Sequence, residues 1–163
     1  SEVAPSQWEF QVCARNSVAS DQLYLVRYIL QRVGELHGFD INIEPKPFQG
    51  EWNGSGCHTN FSTNKMRQYG GKEEIINFIS NLESKHAEFM NYYGSGNDKR
   101  MTGKCETADY NTFTHGFGDR TASIRIPNVV KVENRGYLED RRPGSNIDPY
   151  VVSQLLLQNV GSQ

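Results

Sequence analysis

The run Lys46–Ser62, K-P-F-Q-G-E-W-N-G-S-G-C-H-T-N-F-S, sets a Lys-Pro entry, a glycine-spaced loop, a histidine and a serine at fixed offsets. Gly54 and Gly56 lack the Cβ atoms that would hold a ligand off the backbone, and glycine also permits positive φ. His58 follows at once and delivers an imidazole, a common metal ligand, to the most open stretch of chain. Glu2, Glu9, His58 and Glu139 are candidate ligands for a hard divalent cation. Carboxylates suit Mg²⁺ or Mn²⁺, and one imidazole among them tilts the set toward Mn²⁺. A second chemistry sits in the arginines. Arg120 and Arg125 bracket an alternating stretch, and Glu139-Asp140-Arg141-Arg142-Pro143 follows a Gly136-Tyr137 turn. Planar guanidinium forks hold phosphoryl oxygens and neutralise charge during transfer. Metal-holding acids beside phosphate-holding arginines form the composition of a phosphoryl-transfer site.

Taken singly, each signal has a plainer reading. A lone glutamate is ordinarily a solvated surface acid, a lone histidine ordinarily a core or surface residue. E-D-R-R alone reads equally well as a surface ion-pair cluster, and such pairs are common and weak. No P-loop, no kinase H-R-D set and no G-x-S-x-G occurs, so the usual nucleotide and hydrolase folds lack support.

The elements that must position these groups alternate along the chain without internal repeats. Gln7–Val12 reads as a half-buried strand, with Trp8, Phe10 and Val12 opposite Gln7, Glu9 and Gln11. Asp21–Leu36 reads as a helix with Leu23, Val26, Leu30 and Val33 on one stripe and Gly38 at its end. Asp40–Glu44 reads as a short strand, and Pro45 and Pro47 frame the exit into the glycine loop. Lys72–Tyr93 is expected to be the longest helix, repeating Ile75, Ile79, Leu82, His86, Phe89 and Tyr93 on one face. Gly94–Gly103 is a polar loop expected to move or to close over something, and Thr121–Ile126 is a further strand. Asp148-Pro149 supplies an N-cap and first-turn proline for a last helix through about Asn159. The pattern implies an α+β fold with a largely antiparallel sheet and flanking helices.

Composition bounds the rest. The chain has 163 residues, 36% hydrophobic content and a net charge of −2. That length buries a core, and the charge argues against a nucleic-acid surface. No apolar run approaches membrane-spanning length and no signal peptide is recognisable. Cys13, Cys57 and Cys105 are well separated and odd in number, favouring reduced thiols over a disulfide framework. Cytoplasm is therefore the default compartment, with an organelle the alternative. Ser1-Glu2-Val3 has no initiator methionine, so the chain reads as a fragment or a processed piece.

The stretches E-V-A-P-S-Q-W-E-F-Q, K-P-F…N-G-S-G-C-H-T-N-F-S, R-M-T-G-K-C-E-T, D-R-T-A-S-I-R-I-P and G-Y-L-E-D-R-R-P-G-S-N-I-D-P-Y run over nearly the whole chain. In that order they resemble the C-terminal catalytic portion of glutamine synthetase, eukaryotic-type branch. The resemblance implies ATP-dependent ligation of ammonia to glutamate through a γ-glutamyl phosphate, assisted by Mg²⁺ or Mn²⁺. By motif, Glu2 and Glu9 resemble metal ligands on the glutamate side, and His58 and Glu139 ligands of the metal between the ATP phosphates. Asn53, Gly54 and Arg100 resemble glutamate-site positions. Ser62, Arg125 and Tyr137 fall where the family meets the nucleotide, and Arg120 and Arg141, with Arg125, resemble its phosphate and transition-state clamps. Glu106 resembles the mobile-loop glutamate that closes the site and takes a proton from ammonium. An acyl phosphate has to be kept from water, which agrees with a lid.

The departures carry their own expectations. Residues 1–163 read as an incomplete catalytic domain, without the family's N-terminal β-grasp domain and without a strand bearing two further metal-binding glutamates. Fewer carboxylates weaken a hard-cation site. Cys105 stands where the family has histidine, and Gly94–Arg100 is short. Three readings follow in order: part of a working glutamine synthetase, a catalytically impaired structural or interaction subunit, and a related γ-glutamyl amine ligase. The family's stacked rings imply an oligomer or a larger assembly.

Overall fold

In the computed structural model, residues 2–160 are described. The elements are α1 (Ser17–His37), β1 (Thr59–Phe61), α2 (Gly71–Ser84), α3 (His86–Met90), β2 (His115–Phe117), β3 (Ile124–Ile126), α4 (Val129–Glu133), β4 (Leu138–Asp140) and α5 (Pro149–Gln158). A 3₁₀ turn, Asn97–Lys99, follows α3. The strands form a mixed sheet in the order β1-β4-β3-β2. β4 pairs antiparallel with β1 and β3, while β2 joins β3 in parallel. The α+β class and the mainly antiparallel pairing therefore hold.

Short as they are, the strands sort side chains by parity. On β4, Leu138 and Asp140 face the core with no exposed surface, while Glu139 faces the other way. Ile124 and Ile126 of β3 join that core face and Arg125 the opposite one. The core is completed by one long face of α2 and α3. Ile75, Ile79, Leu82, His86, Phe89 and Tyr93 are all buried. Phe61 stacks on Phe78 with ring centroids 4.9 Å apart. At the other end, the Asp148 carboxylate accepts the Tyr150 N–H at 2.9 Å and starts α5, as the Asp-Pro pair implies. α1 packs on α5: Ser20 donates to the Pro149 carbonyl at 3.1 Å and Tyr24 stacks on Tyr150.

Several expectations require correction. The Lys72–Tyr93 helix breaks at Lys85, whose φ of −110° and ψ of 12° are not helical. α1, at 21 residues, is the longest helix. Its expected inner stripe is only partly inside, since Leu23 is buried but Val33 is 47% exposed. Gln7–Val12 and Asp40–Glu44 are not strands. Alternation marks a face, but a ladder needs a second backbone, and neither segment pairs with a strand among the described residues. Trp8, the would-be anchor of the first, is 81% exposed. The strand in Thr121–Ile126 is confined to its last three residues, and Ser123 before it is buried and bonded to Thr112 and Thr114.

Within Gly94–Gly103, Asn97 and Arg100 anchor the loop. Asn97 is fully buried and its amide donates to the Arg142 carbonyl at 2.7 Å. Arg100, also buried, donates Nε to Asn97 and Nη2 to the carbonyls of Arg141, Arg142 and Pro143.

Beneath the sheet lies an ion pair with no exposed surface. Arg142 meets Asp140 bidentately, Nε to Oδ1 at 2.9 Å and Nη2 to Oδ2 at 2.7 Å. Tyr93 donates its hydroxyl to Asp140 at 2.8 Å. The guanidinium also lies over the rings of Tyr93, Phe113 and Phe89. Its Nη1 sits 3.2 Å from His86 Nδ1. A guanidinium only donates, so Nδ1 accepts, and Nε2–H donates to the Tyr110 carbonyl at 3.0 Å. Burial, then Arg142, hold the imidazole below its ordinary value, so it stays neutral.

Two outcomes follow from this network. Arg142→Met leaves Asp140 buried without its cation and should cost about 3–5 kcal/mol in urea unfolding. Asp140→Asn with Arg142→Met should cost clearly less than the sum of the two single changes. Because the folded pKa of His86 lies below the ordinary 6.5, its contribution is complete above 6.5 and is lost as pH falls through the folded value. In His86→Gln, which can accept from Arg142 and donate to Tyr110 but cannot titrate, that part of the stability–pH slope should vanish between pH 7 and 5.

Candidate active site

The outer face of the sheet gathers the chemistry. Glu139 is central: β4 runs between β1 and β3, so Asn60 and Arg125 are its direct cross-strand neighbours. One carboxylate oxygen meets Arg125 Nη1 at 3.1 Å. The other meets Arg141 Nη1 at 3.2 Å and faces His58 Nδ1 at 3.4 Å. Burial would raise the Glu139 pKa, but His58, Arg141 and Arg125 outweigh it and hold the group below the ordinary value, as an anion. His58 is held low first by desolvation, with Glu139 opposing and Arg141 and Arg100 adding repulsion. A neutral His58 keeps its proton on Nδ1, toward the carboxylate, and leaves the Nε2 lone pair for a ligand.

Arg125 and Arg141 each have a buried Nε–H with no acceptor among the described residues. Unpaired buried donors are costly, so two on neighbouring guanidinium groups suit an incoming anionic oxygen. Arg141 reaches further, donating Nη2 to the Glu106 carbonyl at 3.3 Å. The Glu106 carboxylate lies 3.7 Å from Arg120, both well exposed. Cys105 and Glu106 have φ of 52° and 59°, an uncommon conformation for consecutive non-glycine residues. A second tie crosses the rim: Lys104, one residue before this pair, meets Glu51 of the glycine loop at 3.0 Å.

The glycine loop departs from expectation in its reason, since neither Gly54 nor Gly56 has positive φ. Close approach demands them. A Cβ at Gly54 would lie 2.4 Å from the Pro45 carbonyl and 2.5 Å from Arg100 Cγ. One at Gly56 would lie 2.5 Å from Arg100 Nη1 and 2.9 Å from His58 Nε2. Arg100 thus lies directly under the loop. Its Nε and Nη2 are spent on protein acceptors, leaving Nη1 toward Gly56. Desolvation lowers its pKa to about 10, still charged at neutral pH.

Glu2 and Glu9 adjoin one another through a turn at residues 4–7. Glu9 raises the pKa of Glu2, by a hydrogen bond first, and His58 close by opposes the rise. Two carboxyls this close together are suited to share a cation. Among the described residues no three of His, Cys, Asp and Glu converge on one point. Two pairs, Glu2 with Glu9 and His58 with Glu139, fit Mg²⁺ or Mn²⁺ better than a closed cage, because Mg²⁺ usually keeps waters and takes one or two carboxylates plus substrate phosphates.

Asn53 lies half-buried where this loop begins. Ser62 and Tyr137 lie apart, one step beyond the Phe61–Leu138 pair at the far end of β1 and β4. Ser62 Oγ accepts from Arg67 at 2.7 Å, and Tyr137 is 38% exposed. The motif reading overlooked Gln7, Glu51, Asn97 and Lys104. Neutral amides and lone surface charges carry no spacing signal, so only the folded chain singles them out.

Comparison with known proteins supports one family throughout. The model of the family described as glutamine synthetase, catalytic domain, matches residues 1–160. Glutamine synthetase cytosolic isozyme 1-5 of Arabidopsis thaliana is 49% identical over 158 residues, which is 96% of this chain and 45% of the relative. Glutamine synthetase of Saccharomyces cerevisiae is 51% identical over 160 residues, 98% of this chain and 43% of the relative. Glutamine synthetase N-1 of Phaseolus vulgaris is 50% identical, over 96% of this chain and 44% of its own length. The chain therefore spans less than half the length of the curated relatives it matches. On the family match and on these identities, the chain belongs to the glutamine synthetase catalytic-domain family.

Proposed function

We propose that residues 1–163 act as the C-terminal part of a glutamine synthetase catalytic domain, joining ammonia to glutamate at the expense of ATP through γ-glutamyl phosphate. The observation that carries this reading is Glu139, held as an anion between His58 and two arginines that keep unpaired donors. The glutamate side-chain carboxylate attacks the γ-phosphorus of ATP and ADP leaves. Ammonia then adds to the acyl carbon and expels phosphate. Arg125 and Arg141 bind the transferring oxygens through their free Nε–H groups, and Arg120 adds charge from the rim. Ser62 and Tyr137, at the far end of the sheet, meet the nucleotide. Asn53, Gly54 and the remaining Nη1 of Arg100 orient glutamate. Glu106 takes the proton that ammonium must lose, and its loop excludes water from the acyl phosphate. Mg²⁺ or Mn²⁺ bound at Glu2 with Glu9 and at His58 with Glu139 would neutralise phosphate charge.

Cytoplasm is the compartment we assign, with an organelle second, and no helix among the described residues is long and apolar enough to cross a membrane. An assembly with further subunits, without nucleic acid, belongs to the same reading. A second reading, a catalytically impaired structural subunit, is favoured by Cys105, which stands beside Glu106 where the family has histidine.

Phosphate release from ATP separates the two, measured on the chain alone and on material isolated with its native partners. The expected result is release that needs glutamate, ammonium and the divalent cation together and falls about 100-fold in Glu139→Ala. Release without glutamate, or undiminished in the variant, overturns the ligase reading, and silence of both preparations supports the impaired subunit. Glu106→Gln should keep glutamate-dependent ADP formation while lowering the glutamine formed per ADP, read by paired product assays.

A further inference from the structure

Gln7 stands outside every chemical role assigned so far, yet its side chain joins the two halves of the site. The chain folds back at residues 2–7, with Ser6 at a φ of 58°. Glu2 N–H donates to the Gln7 carbonyl and Gln7 N–H to the Ala4 carbonyl, each at 3.1 Å. The carboxamide then uses both its chemical ends. Oε1 accepts from the Ala4 N–H at 3.2 Å. Nε2 donates to the Gly54 carbonyl at 3.0 Å and to Ser55 Oγ at 3.2 Å. The partner loop is itself fixed, since Ser55 N–H donates to the Pro45 carbonyl at 2.8 Å and its carbonyl accepts from Ser145 at 3.0 Å.

We propose that Gln7 is a positioning residue for divalent-cation binding: it ties the turn that sets Glu2 against Glu9 to the glycine loop that carries His58. The inference rests on the metal reading above and adds the link between the two ligand pairs. Two carboxylates repel until a cation arrives, so a site with few ligands depends on having them placed beforehand. A neutral amide does this without competing for the cation. Glutamate at position 7 would lack the donors for Gly54 and Ser55, lysine would lack the acceptor for Ala4, and asparagine would fall one methylene short. Outer partners that orient metal ligands are typically worth 10–100-fold in affinity.

The test is Mn²⁺ titration of the full chain, followed by the electron-spin signal of free Mn²⁺, with hydrogen exchange of residues 54–58 read in parallel. Gln7→Met keeps the length of the side chain and removes all three hydrogen bonds. It should weaken by about tenfold the Mn²⁺ position that Glu9→Ala removes, weaken less the position that His58→Ala removes, and speed exchange at 54–58. Ser55→Ala, which deletes one of the two acceptors of Nε2, should give a smaller loss of the same kind. Thermal unfolding of each variant shows that the chain remains folded. Faster exchange with unchanged Mn²⁺ affinity overturns the positioning role and leaves the metal reading standing. Absence of any Glu9-dependent Mn²⁺ binding in the unaltered chain overturns both.

Discussion

The site depends on the period-two geometry of residues 137–142. Side chains of a strand alternate between faces, so four consecutive charged residues are divided in pairs. Glu139 goes to the outer face with Arg141, to which it is bonded, and Asp140 to the core with Arg142 just beyond the strand. Each pair needs the other. The buried pair has its charges bidentately matched and further bonded by Tyr93 and His86, as a desolvated ion pair requires. The Arg142 carbonyl in turn accepts from Asn97 and Arg100, which pin the chain just where β4 leaves the sheet. A slip by one residue would bury Glu139 and push Arg142 outside, losing core and site together.

Charge on the outer face is balanced in favour of anions. Glu139 neutralises parts of Arg125 and Arg141 without consuming their Nε donors, so the surface is structured before any ligand arrives. His58 adds no charge at neutral pH, which avoids further repulsion among these cations. Beneath the glycine loop Arg100 carries charge but spends it largely on carbonyls, so it acts on the site partly through the backbone it holds.

What could be read from the residues alone was what is local. Asp148-Pro149 announces α5 because an N-cap and a first-turn proline act within their own turn. The buried face from Ile75 to Tyr93 was visible in its spacing, although the break at Lys85 was not, because the same face continues across it. Gln7–Val12 was misread for a tertiary reason: its alternation is real, but no described strand lies beside it. E-D-R-R suggested either an exposed cluster or a phosphate site. Neither captured the division between the faces, which only the position of β4 inside the sheet reveals. The glycine loop was found for its openness, while the folded chain explains Gly54 and Gly56 by the arginine packed under them. Candidate site residues could be named by motif from the sequence alone. The amides that hold them, Asn97 and Gln7, could not.

The contact between Lys104 and Glu51 connects the two loops that border the outer face, and it lies in open solvent. Both side chains are largely exposed, so dissolved ions reach the pair from all sides. An exposed pair of this kind is screened within about 10 Å at 0.1 M ionic strength. The seam between the Glu106 loop and the glycine loop is therefore fastened by a bond whose strength the medium sets, looser in brine and tighter in dilute buffer, while the ion pair under the sheet is indifferent to both.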